Sequence, residues 1–233
     1  MLVAALAVAS GMRAERTESF WEKVLRIVGV SATPRKQKGA GEKIVSGEIW
    51  IADLESHSRT RVTKSGGFRS PVFEPGREAL IALSGDKLVR VALPGGESTS
   101  IADLPHAVKI VGFGSGDPDQ LMALMEGADG NPKVTLLSLR TGVETAVPYN
   151  KDSDEDERLV SHLLGSERVY PAGRLFVLPR TAPGSSGMRS WTDVYLVRSG
   201  GDPIDVSNCE DVECGQPALS PDQKRVAFIK AVQ

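Results

Sequence analysis

From Gly47 onward the chain alternates short apolar runs with polar turns, at period two or as continuous stretches of strand length. Ile49-Trp50-Ile51-Ala52 and Arg61-Val62-Thr63 open the series. The phrase Ser70-Pro71-Val72-Phe73-Glu74-Pro75-Gly76 then runs into Ala79-Leu80-Ile81-Ala82-Leu83. Near the other end, Gln216-Pro217-Ala218-Leu219-Ser220-Pro221-Asp222 runs into Val226-Ala227-Phe228-Ile229 at the same spacing. Both phrases predict strand, proline turn, strand, and a unit repeated along a chain sets the architecture. Proline fixes φ for each turn, and Asp222 is placed to accept the following backbone amides.

Further units lie between these two. Leu88–Leu93 and Thr99-Ser100-Ile101 complete the first. A degraded copy has Lys109–Phe113, a turn at Gly116-Asp117-Pro118-Asp119, Leu121–Leu124, Val134–Leu139 and Thr145-Ala146-Val147. The last has Leu159–Leu164, a Pro171-Ala172-Gly173 turn, Leu175–Leu178, a Gly/Ser loop, Asp193–Val197 and Pro203–Val206. The N-terminal end thus supplies the last two strands of a unit and the C-terminal end the first two. The fold expected is all-β: a small β-propeller of four-stranded blades, closed by pairing Arg225–Ile229 with Glu48–Leu54. The count is four blades, or five if the region before Gly47 contributes one.

The units resemble the repeat of TolB-type β-propellers. Ile49-Trp50-Ile51-Ala52-Asp53-Leu54, Arg61-Val62-Thr63 and Arg69 to Gly76 carry the likeness, and Gln216 to Asp222 with Arg225-Val226-Ala227-Phe228 carries it best. Members of that family reside in the periplasm, have six blades and an N-terminal α/β domain, and bind a peptidoglycan-associated lipoprotein. Here a helix stands in place of that domain, and the strands suffice for fewer blades.

The segment before the propeller reads differently. Leu2–Gly11 is a small-residue apolar run, too short to span a bilayer and similar to the core of a secretory signal; residues 1–14 are the expected signal remnant. Residues 15–46 hold a helix and linker, and 47–233 the propeller. The helix, Thr17–Val28, carries Phe20, Trp21, Val24, Leu25 and Val28 at helical spacing. That stripe either packs on the propeller or docks a partner.

Charge and composition narrow the function. With 28 Lys and Arg against 30 Asp and Glu and no basic tract, a nucleic-acid surface is not indicated. No later segment is long and apolar enough for a membrane span. Cys209 and Cys214 flank Glu210-Asp211-Val212-Glu213, a spacing that suits a disulfide in an oxidising compartment, worth about 2 kcal/mol for so short a loop. A metal reading lacks neighbouring ligands.

No catalytic constellation emerges. Gly112-Phe113-Gly114-Ser115-Gly116 has serine in the wrong register for a nucleophile elbow, and no helix follows it for a dinucleotide loop. His57, His106 and His162 are scattered over separate units, His57 and His106 in surface turns and His162 in a first strand that can face the channel. Asp152–Glu157 matches the opening of a calcium loop, yet Glu157 replaces the needed glycine and Leu163 the closing glutamate, so a solvated acidic loop is expected. No cofactor is implied. The function expected is a non-catalytic, exported propeller that binds a protein or envelope component, either as a scaffold or as a subunit of an assembly. The alternative is a small-ligand binder or enzyme using polar groups around the channel. An enzyme needs converging titratable side chains there, whereas a scaffold needs an apolar or aromatic patch.

Overall fold

The computed structural model describes residues 44–114, 117–128, 130, 132–147, 168–171, 173–184, 187–198 and 200–232. Every regular element among them is a β-strand. The leader, the expected helix with Phe20, Trp21, Val24, Leu25 and Val28, the acidic run Asp152–Glu157, and His162 lie outside the described residues.

The strands β1 (Gly47–Asp53) and β2 (Arg59–Arg61) do not make a sheet by themselves. Three antiparallel meanders follow. The first is β3 (Phe68–Phe73), β4 (Ala79–Ser84), β5 (Lys87–Ala92) and β6 (Ser98–Asp103). The second is β7 (Ala107–Gly114), β8 (Asp117–Glu126), β9 (Pro132–Ser138) and β10 (Glu144–Ala146). The third is β11 (Arg168–Tyr170), β12 (Gly173–Gly184), β13 (Gly187–Arg198) and β14 (Ile204–Asp205). The chain then returns as β15 (Cys214–Leu219) and β16 (Arg225–Ala231), which join β1 and β2 in a terminal sheet of order β15-β16-β1-β2. Ile49 lies opposite Ile229 and Asp53 opposite Arg225, so the expected pairing of the two ends is present. This terminal sheet joins β3 through one residue pair, Gly47 with Phe68. A Cβ at Gly47 would meet the Lys230 carbonyl, so the close three-strand approach requires glycine.

Both faces of the inner strands are apolar, as their continuous apolar runs predict. Leu80 and Ala82 pack toward the terminal sheet with Ile49, Phe73, Ala227 and Ile229. Ile81 and Leu83 face the other way, onto Ile110, Leu121 and Met125 of the β7–β10 sheet. On the far side of the terminal sheet, Val226 and Phe228 meet Leu175, Val194 and Leu196. The sheets therefore stack in the order β11–β14, terminal, β3–β6, β7–β10, a β-propeller-like arrangement with their first strands innermost. Fully burying one such Leu, Ile or Phe side chain stabilises the stack by about 1.5–3 kcal/mol.

Two local readings are corrected, and two prolines prove to lie inside strands. Asp117, Pro118 and Asp119, expected in a turn with Gly116, belong to β8, which begins at Asp117. Pro71 and Pro217 lie inside β3 and β15, each accommodated by a bulge: the ladders shift register between Arg69 and Val72 and between Gly215 and Ala218. The expected Gly/Ser loop after Leu178 is instead a long β-ribbon, in which β12 and β13 pair from Gly173 with Arg198 to Gly184 with Gly187.

Candidate functional site

The first strands of all four sheets converge on one cavity of about 460 Å³. Ser70 to Phe73 of β3, Lys109 to Phe113 of β7, Tyr170 at the end of β11 and Gln216 to Leu219 of β15 line it. Pro71, Pro75, Pro171, Pro217 and Pro221 add five rigid rings that have no N–H to donate. Phe73, Phe113 and Tyr170 supply aromatic surface. Lys109 and Tyr170 are the titratable side chains among the described lining residues.

The two proline phrases shape this wall by a shared device. Ser70 (φ 52°) and Gln216 (φ 53°) both adopt the left-handed region immediately before proline. A residue with a Cβ pays about 1–3 kcal/mol for such a conformation, so something must hold it. The Gln216 carboxamide does so. Its oxygen accepts the Ser70 N–H at 2.6 Å and the Ser70 hydroxyl at 3.2 Å, while its NH₂ donates to the Val45 carbonyl. Both side chains are buried. On the opposite wall, the Tyr170 hydroxyl accepts the Leu219 N–H at 3.2 Å.

The rim is braced by charge. Arg90 of β5 donates Nε and Nη2 to the two carboxylate oxygens of buried Glu74, at 2.6 and 2.8 Å, and Glu74 sits between the lining residues Phe73 and Pro75. The Glu74 hydrogen bond raises the Arg90 pKa. At the matching turn, the Asp222 carboxylate accepts the Ser220 hydroxyl and the Lys224 N–H, as expected of it, and these bonds lower its pKa.

Cys209 and Cys214 form a disulfide. Both are buried in the apolar layer between the β11–β14 and terminal sheets, beside Val194, Val206 and Leu219. Thr192 clamps the same loop: its hydroxyl donates to the Cys214 carbonyl at 2.7 Å and accepts the Cys214 N–H at 3.1 Å. The buried Asp193 carboxylate accepts the Cys209 N–H at 2.8 Å and the Trp191 indole N–H at 2.9 Å.

The two described histidines do not converge. His106 is exposed in a turn at φ 75°, and His57, exposed at φ 57°, borders a separate cleft of about 210 Å³ with Arg59 and Arg198. Both are surface turn residues, as expected. The carboxylates of that cleft are occupied, Asp53 by the amides of Glu55 and Ser56 and Asp205 by those of Ser207 and Asn208. Among the described residues no group of His, Cys, Asp or Glu is arranged to hold a metal. Gly112, at φ 154° in a bulge of β7, lines the cavity wall.

The residues that shape the cavity were largely missed in sequence. Gln216 and Lys109 are buried polar residues in apolar strands, and their one visible signal was position: Gln216 precedes Pro217 as Ser70 precedes Pro71.

No known family's sequence pattern matches the chain, and no curated protein does. Solved structures do. A protein of Agrobacterium tumefaciens described as a TolB shares 17% identity at a TM-score of 0.39, over 78% of this chain and 60% of that one. TolB of Acinetobacter baumannii shares 15% at 0.40, over 78% of this chain and 45% of the other. The chain thus spans three fifths of one and under half of the other, and both are TolB structures, the family whose repeat the proline phrases resemble.

Proposed function

We propose that this chain is a non-catalytic protein-interaction module of propeller type, its four sheets acting as blades around the cavity, and that it works outside the cytoplasm as part of a cell-envelope assembly. The observation that carries this reading is the character of the cavity. Its lining is rich in proline and aromatic side chains, with Lys109 and Tyr170 the titratable groups among the described lining residues. Rigid rings without N–H groups favour a ligand that brings apolar side chains, such as the tip of a partner protein. The Cys209–Cys214 disulfide supports an oxidising compartment.

A photo-crosslinking amino acid at Phe113, introduced into the chain in its native host, tests this. A single partner protein captured at Phe113, and lost when Phe73 is changed to glutamate, supports the reading. Turnover of a small molecule that depends on Lys109, with no partner captured, overturns it.

A further inference from the structure

We draw no further inference here: the strongest candidate, the far face of the β7–β10 sheet, where Met122, Leu124 and Val134 are fully buried yet belong to none of the apolar clusters between the described sheets, carries nothing because nothing in the structure shows what covers it.

Discussion

The Gln216 side-chain oxygen accepts the Ser70 backbone N–H at 2.6 Å, although 146 residues separate the two in sequence. They occupy the same place in two copies of one repeat, each before a proline and each at positive φ. One copy's strain is thus braced by the other copy's side chain. The bond also fastens the C-terminal strand β15 to β3, beside the axial cavity.

Gln216→Ala should therefore destabilise the fold by about 2–4 kcal/mol, because it orphans the buried Ser70 N–H and the Val45 carbonyl together. Ser70→Ala removes a 3.2 Å hydroxyl contact and should cost under about 1 kcal/mol. Ser70→Gly relieves the positive φ and should be nearly neutral. Urea unfolding midpoints of the three variants rank them, and a Gln216→Ala protein as stable as wild type would refute the bracing role.

The pair Glu74–Arg90 makes an asymmetric prediction. Glu74 is 6% exposed and Arg90 30%. Arg90→Ala leaves the more buried carboxylate, among the described residues, with the 3.5 Å contact to Arg77 alone, so a loss of about 2–4 kcal/mol is expected. Glu74→Ala leaves a guanidinium that can reach water, and about 1–2 kcal/mol is expected. Equal losses in thermal or urea unfolding would show that the pair acts through packing alone.

Most of the strands, the pairing of the two ends and the disulfide were legible in the sequence, each for a physical reason, but the first strand of the last sheet, expected at Leu159–Leu164, stands at Arg168–Tyr170. Runs such as Ala79–Leu83 and Val226–Ile229 have the length and apolarity of strands buried on both faces. The strand flanked by Ile49 and Asp53 needed a partner to hide its edge. Cys209 and Cys214 were close enough to pair whatever the fold. What stayed hidden depended on main-chain parity or on distant contacts. Pro179 and Pro183 read as loop residues, yet both fall at outward positions of a ribbon where no ladder bond is lost. Pro71 and Pro217 lie inside strands, and the bulges that admit them there leave no trace in composition. Gln216 and Lys109 acquire meaning only once four inner strands meet.

The disulfide sits at a junction between two sheets, so its loss should be felt there. Replacing both Cys209 and Cys214 with serine should lower stability by about 2 kcal/mol on the loop-closure estimate. Hydrogen exchange should speed first at Thr192 and Cys214, whose mutual bonds depend on the loop's shape. The intact protein should be about two daltons lighter than its reduced form, the mass of two hydrogens lost on pairing. Free thiols in protein taken from its native compartment would contradict both the bond and the extracytoplasmic reading.

Arg225 sets the acid sensitivity of the seam between the terminal and β3–β6 sheets. It donates to both carboxylate oxygens of Glu78 at 2.9 and 3.3 Å, and its guanidinium lies 5.4 Å from the Phe73 ring centroid. Hydrogen bonding and charge from Arg225 lower the Glu78 pKa below its ordinary 4.5. Asp53 and Asp222 are lowered from 3.8 as well, chiefly by bonds to Ser56 and Ser220 respectively and only secondarily by Arg225. A depressed carboxylate binds fewer protons folded than unfolded, so its contribution is full above the ordinary values of 3.8 and 4.5 and is lost as pH falls through the lower folded ones. Glu78 and Asp222 are exposed and Asp53 is partly so, and the contribution is modest and salt-sensitive. Arg225→Gln should return the Glu78 pKa toward 4.5 in carboxylate-detected NMR, leave Asp53 and Asp222 close to their wild-type values, and raise the pH of acid unfolding. Equal upward movement of all three would mean that Arg225 acts as a general field instead of a specific partner of Glu78.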